Sequence, residues 1–310
     1  MFERKRLFDI LAIGLSCLIA LCYFSKMLKE SVFGETIIEE EIEQVDDITE
    51  TDNTEIEETP IRQKIKFASF KSAYLFAIKY LNNSKGYKSV SKGNLIGDAT
   101  ILTINQSMEI IKEVNKEENC AYAKISSKKI SSFGKDSSME YFETEDSCFY
   151  RNGYFNGSAF TYPEEYSSSS KQDFLNYYAV APIDLVVKLN ETTIVSNGRM
   201  INDGINYILS FELSAQEACS NAIAFCMKQF GAIAGLDVSI QSGTVKCVLT
   251  MDHYGVISSL KSNSDFACYI SSVPFIKIPA TVGGNLSIIE KFSSVDTAVS
   301  VNDFRPVQEN

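Results

Sequence analysis

The eighteen residues Leu7–Phe24 carry a single charge, Asp9, and constrain the chain more than any other feature. As a helix rising about 1.5 Å per residue they span about 27 Å, close to the roughly 30 Å hydrocarbon core of a bilayer. Arg4, Lys5 and Arg6 precede the run, and the cytoplasmic bias of positive charge predicts that the N-terminus stays inside; Lys26 and Lys29 weaken that bias. Residues 1–30 therefore read as a cytoplasmic stub and a transmembrane signal-anchor, with everything after them translocated. Two alternatives stay open. A cleaved signal peptide has the same layout, although no small-x-small cleavage site follows. A bacterial lipoprotein would carry its acyl chain on Cys17 or Cys22, although the first lacks a branched apolar residue three positions earlier and the second lacks a small residue just before it. All three readings put the body outside the cytoplasm.

Residues 31–60 read as an acidic, disordered tether. Between Glu35 and Glu58 stand twelve Asp or Glu and no Lys or Arg. Such a block repels itself and buries too little apolar surface to order. Residues 1–30 carry +2 and the tether −12, so the total of −11 leaves about −1 for the remainder. The acidity belongs to the tether and the body is nearly neutral. A basic footprint for nucleic acid is absent, so nucleic acid is not an expected partner.

The body, residues 61–310, alternates between two periodicities. Phe67, Phe70, Tyr74, Ala77, Ile78 and Leu81 recur at helical spacing and predict an amphipathic helix ending near Asn82–Asn83. A period of two follows at 99–104, with strands predicted at Ala121–Ile130, Met139–Glu143 and Cys148–Tyr150 and a hairpin signal at Asn152-Gly153. Ser167–Ser170 reads as an exposed loop. Phe174, Leu175 and Tyr178, then Ile183, Leu185 and Val186, read as two short helical turns split by Pro182. Strands are expected at Thr192–Val195 and Tyr207–Leu213. Ser214 and Glu217 have capping-box spacing before a helix with Ala218, Ala222, Phe225, Cys226 and Gln229 on one side and Gly231 as its stop. Val245, Cys247, Leu249 and Met251 share a strand face, Asp252–Gly255 is a turn, and Val256–Leu260 and a separate strand with Phe266, Cys268 and Ile270 follow. Two shorter strands are expected at Phe275–Ile278 and Leu286–Ser293. The sum is an α+β fold: about ten mostly antiparallel strands, curled over about three helices.

The helix, meander, central helical insertion, the run from Asp203-Gly204 through Tyr207 into a helix at Ser214, and the closing hairpins around Gly255 resemble the LolA-like superfamily of bacterial envelope carriers. The resemblance covers residues 67–305 in layout. It implies a curved antiparallel half-barrel closed by helices, and a cavity for lipid or lipoprotein acyl chains. It carries over no functional residue by identity.

Catalytic constellations are missing from the sequence. The one histidine, His253, sits in a turn beside Asp252 without a placeable triad partner. Zinc spacing is absent, and Asp46, Asp47, Glu50 and Asp52 lack the spacing and the glycine of a calcium loop. No phosphate-binding glycine pattern occurs. The chain is therefore not expected to be an enzyme or to use a cofactor or metal. Asn82, Asn105, Asn156, Asn190 and Asn285 begin Asn-x-Ser/Thr triplets, which matter only in a glycosylating host. Six exported cysteines invite disulfides, with Cys120 and Cys148 the favoured pair, while buried thiols are the alternative.

The expected function is a membrane-tethered, extracytoplasmic binding or carrier domain for a hydrophobic or lipid-like ligand. Inward-facing Leu102, Ile104, Val245, Leu249, Met251, Phe266 and Ile270 are its candidate site, with an ordinary filled core as the competing use of those residues. The alternative function is an envelope interaction or sensor module whose partner is another envelope protein.

Overall fold

A computed structural model describes residues 64–306, except 100–101, 132–133, 185–186, 230–237, 271–279, 298, 302–303 and 305. The expected anchor Leu7–Phe24 and the tether lie outside the described residues, as do Leu185, Val186, Gly231 and the strand expected at Phe275–Ile278. No helix among the described residues is long and apolar enough to cross a membrane.

Helix α1, Phe70–Asn83, forms where the apolar stripe predicts it. Ala73, Tyr74, Ala77 and Ile78 are buried, and Phe67, Phe70 and Leu81 pack against the same core. A reciprocal cap made of two serines starts it. Ser69 Oγ accepts the Ser72 N–H and Ser72 Oγ accepts the Ser69 N–H, both at 3.2 Å.

The chain then runs β1 (Gly86–Ala99), β2 (Leu102–Asn115), β3 (Cys120–Lys129), β4 (Ser137–Glu143), β5 (Ser147–Phe155), β6 (Phe160–Thr161), β7 (Ser167–Ser170) and α2 (Lys171–Tyr178). A 3-10 turn at Pro182–Asp184 leads to β8 (Ser196–Asn202), β9 (Asn206–Ser214), α3 (Ala215–Ala218), α4 (Ser220–Gln229), β10 (Val238–Asp252), β11 (Ile257–Ile270) and β12 (Ala280–Val295). These strands make one open sheet in the order β6-β5-β4-β3-β2-β1-β12-β11-β10-β9-β8, with β7 beside β5. All of its pairings are antiparallel. Two meanders are thus joined along a seam between the first strand and the last, from Tyr87–Val295 to Asp98–Gly283. Among the described residues, twelve strands and four helices replace the expected ten and three.

The sheet cannot be flat. Tyr178 of α2 and Phe225 of α4 approach within 6.1 Å between ring centroids. Yet α2 packs on β5, where Tyr150 meets Phe174 at 5.1 Å, and α4 packs on β10. Those strands stand seven positions apart, about 34 Å at about 4.8 Å per spacing. The sheet therefore curves around the helices, and its concave face supplies most of the main buried cluster. A smaller cluster of Cys120, Tyr122, Phe142, Val299 and Val301 forms on the convex face, where Phe304 stacks on Tyr122 at 4.0 Å.

Local differences from the sequence reading have physical causes. Asn152 and Gly153 lie inside β5, paired with Met139 and Ser138. A Cβ on Gly153 would come 2.8 Å from the Tyr162 ring, so that glycine serves packing. The turn is made by Asn156-Gly157 instead, with Gly157 at φ +99° and Asn156 Oδ1 accepting the Ser158 and Ala159 amides. Ser167–Ser170 is a strand rather than a loop, because its backbone completes the edge left by β5. Thr192 and Thr193 belong to a turn around Asn190, whose Oδ1 accepts from the Thr192 amide at 2.9 Å, and the strand begins only at Ser196. Ser214 makes no side-chain cap bond to the four-residue helix after it. The strands expected at Val256–Leu260 and around Phe266–Ile270 are one continuous β11, as Leu286–Ser293 is the middle of β12.

Candidate functional site

Strands β1, β2 and β12 build the floor of the site. Lys112 occurs at a concave-face position of β2 between buried Ile110 and partly buried Val114, and Glu290 at such a position of β12, two residues beyond buried Ile288. Strand β1 lies between them and presents Ser89, Ser91 and Gly93 to that face, opposite Lys112, Glu290 and Ile288 respectively. With only small side chains on the middle strand, the two long ones reach over it. They span two spacings, about 9.6 Å of backbone, and meet with Lys112 Nζ 3.2 Å from Glu290 Oε1. Their side chains are 3% and 6% exposed. Ser89 Oγ–H donates to the same oxygen at 2.7 Å. Ser91 Oγ, buried beside Glu290, has no hydrogen-bond partner.

A cavity of about 400 Å³ stands over this pair, within the roughly 300–1,000 Å³ range of ligand pockets. Helix α1 lends it Ile78 and Leu81, the segment after Pro182–Asp184 lends Val187 and Leu189, and the sheet lends Leu249 and Phe292 among others. Glu143 of β4 and Leu249 of β10 both line it although six spacings separate their strands, which the curvature makes possible. A more open cleft of about 380 Å³ around Asn190, Thr192 and Glu217 lacks a buried ion pair among its lining residues.

Electrostatically the cavity is balanced. Lys116 Nζ donates to the carbonyls of Leu81 and of Asn82, the latter at 3.1 Å, so it caps the C-terminal end of α1. Burial holds its ammonium below the usual lysine value. Burial first, and then the charges of Glu290, Asp184 and Glu143, push the Tyr87 hydroxyl well above its ordinary range, so it stays protonated. Glu143 accepts from Tyr141 Oη at 2.7 Å and lies 3.4 Å from Lys171. Lys188 sits 3.6 Å from Asp184. The site offers paired charges, hydroxyls and apolar walls, a set suited to holding an amphipathic molecule.

Of the residues expected to line a site, Leu249 does. Ile104, Val245, Met251, Phe266 and Ile270 are all buried in the main cluster, but none lines this cavity. Leu102 begins β2, and its side chain lies outside the described residues. Around Val245 and Phe266 the reason is that α3 and α4 cover that end of the concave face; Met251 lies at the other end of β10, opposite Tyr207 and Ile257. Ala215 Cβ stands 3.0 Å from where a Cβ on Gly243 would be, Met227 stands 3.4 Å from one on Gly97, and the Phe266 ring lies 2.5 Å from one on Gly284. That region is filled core. Ser89 and Lys112 lie in stretches where the sequence predicts no strand, before Ala99 and between Ile104 and Ala121, while Glu290 falls inside the strand expected at Leu286–Ser293 with no face assigned to it. The available signal was the alternation Ile104, Gln106, Met108, Ile110, Lys112, Val114, which continues the strand and puts a lysine on its inner face.

Cys120 and Cys148 are not joined. Ala121, Glu143 and Cys148 share one face by register, so Cys120 points the other way, into the convex-face cluster. Cys247 and Cys268 lie on neighbouring strands but far out of register: Cys247 is opposite Ser262, six residues and about 20 Å along β11 from Cys268. His253 packs its ring 5.0 Å from that of Tyr207, with Nε2 buried and without a hydrogen-bond partner, and is not among the cavity residues. Among the described residues no group of three His, Cys, Asp or Glu could hold a metal.

No protein-family model and no curated protein matches the chain. Among solved structures, a DUF1329 family protein from Desulfovibrio piger is similar at 10% identity over 76% of this chain and 97% of that chain, with a TM-score of 0.27. The likeness is a distant one of fold and carries no function across.

Proposed function

We propose that this chain is a membrane-tethered, extracytoplasmic binding or carrier domain for one hydrophobic or lipid-like ligand, held in the cavity between α1 and the concave face of the sheet. The observation that carries the reading is the cavity itself: apolar walls from a helix, a connecting segment and both meanders, over a polar floor. The run Leu7–Phe24 and the acidic tether support the tethering, and the layout shared with LolA-like carriers supports the ligand class. At about 30 Å³ per water-sized group, the volume holds roughly a dozen heavy atoms. That suits one medium-length chain rather than a two-chain lipid. The test uses the full-length chain and a variant with the cavity blocked, Ala121→Trp. Wild type should take up a small nonionic probe such as 1-decanol, followed by calorimetry, and yield a single-chain lipid on organic extraction, and the blocked variant should do neither. A wild-type protein that takes up no probe and yields no lipid would overturn the reading.

A further inference from the structure

Resting on the cavity reading, we propose a head-group specificity for the site: it selects a single-chain amphiphile whose head is uncharged and hydrogen-bonding, such as an alcohol, an amide or a glycerol ester, and discriminates against fatty-acid anions and alkylammonium cations. Charge balance in the cavity sets this preference. Six ionisable Lys, Glu and Asp side chains line the cavity, and each already has a partner. Lys112 holds Glu290, Lys188 holds Asp184, Lys171 holds Glu143, and Lys116 is spent on the carbonyls ending α1. The pair on the floor is buried, so an entering carboxylate would lose its hydration and find Lys112 neutralised at 3.2 Å. An entering ammonium would find Glu290 neutralised in the same way. A neutral head meets no such penalty. The Lys112 ammonium has three N–H donors and its described partner is Glu290 alone. Tyr87, which lines the same cavity, adds a hydroxyl that can donate or accept. Donors and an acceptor are thus available together, in a place where an unpaired charge is not tolerated.

The experiment titrates the full-length chain in amphipol with three probes that share a ten-carbon chain and carry a neutral, an anionic and a cationic head: glycerol monodecanoate, decanoate and decyltrimethylammonium. All are kept below their critical micelle concentrations, and heats from empty amphipol are subtracted. Glycerol monodecanoate should bind wild type about tenfold or more tighter than either ion. Glu290→Gln, which leaves the Lys112 charge unpaired, should shift the preference toward decanoate by about tenfold, and Lys112→Met should shift it toward decyltrimethylammonium. If a variant fails to fold, the wild-type ranking decides alone. Wild type that binds decanoate or decyltrimethylammonium as tightly as the glycerol ester would overturn the head-group assignment and leave the cavity reading standing. If none of the three binds, the cavity reading itself falls and this one with it.

Discussion

At the scale of single residues, the molecule keeps buried charge only where it is matched, on both faces of the sheet. Lys112 and Glu290 do this on the concave side; Glu140 does it on the convex side. Burial alone would raise the Glu140 carboxyl, but hydrogen bonds from Arg151 and Lys124, and their charges, outweigh it and hold the group below its ordinary value of 4.5. Arg151 Nε donates to Glu140 Oε2 at 2.7 Å and its guanidinium lies 4.3 Å from the Tyr166 ring centroid. Because the folded-state value is depressed, the stabilisation is complete above pH 4.5 and is lost as the pH falls from there through the lower folded value. Glu140→Gln should therefore cost about 2 kcal/mol at pH 7 and progressively less below pH 4.5. Urea denaturation of both proteins at pH 7 and pH 3 checks this, and an equal gap at the two pH values would contradict it.

At the scale of elements, α1 is the piece whose position the cavity depends on, since it walls the site with Ile78 and Leu81 and is anchored at both ends. Lys116 holds its C-terminal end. At the other end the Ser69–Ser72 cap takes two otherwise unpaired amides. Ser69→Ala removes the side-chain acceptor and should destabilise the protein by about 1 kcal/mol, measured as a lowered denaturation midpoint at unchanged m-value. Affinity for a cavity probe should fall less than stability does, because packing of Tyr74, Ala77 and Ile78 continues to hold the helix on the sheet. Legibility differed between elements for a related reason. Helix α1 and strand β10 were plain in the sequence because an apolar stripe and an alternating apolar row are the direct imprint of one buried face. Strand β1 was obscured because its inner face carries Ser89, Ser91 and Gly93, which erase the apolar alternation, and in β2 Gln106 and Lys112 interrupt an apolar row that otherwise continues through Met108 and Ile110.

For the whole molecule, the seam between β1 and β12 joins residues about two hundred positions apart and makes one sheet of two meanders. It also makes the cavity common property of both. Unfolding should then be a single event. Cys219, Cys226, Cys247 and Cys268 are buried in the second meander and its helices, and burial pushes the Cys247 thiol up to about 12 and the Cys268 thiol up to about 11. These four should be unreactive toward a thiol reagent at pH 8 in the native state. Their exposure in urea should coincide with that of Cys120 and Cys148, the buried thiols of the first meander, each followed by site-resolved thiol labelling. Two separated transitions would show that the seam does not couple the halves.

By itself the sequence determined what depends on local pattern: a nearly neutral α+β body after an acidic block, the stripe of α1, the inward row of β10, the turn at Asp252–Gly255. These follow from periodicity and charge counted along the chain. Only the tertiary structure decided which inward-facing residues are core and which surround a cavity. Both sets look alike in a strand, and the difference is made by what lies over them. Helices α3 and α4 fill the concave face above Val245 and Phe266, whereas α1 and the segment after Pro182 leave space above Leu249 and the Lys112–Glu290 pair. That pair has no signature in the chain, because what joins its members is the register of β2, β1 and β12 and not their separation in sequence.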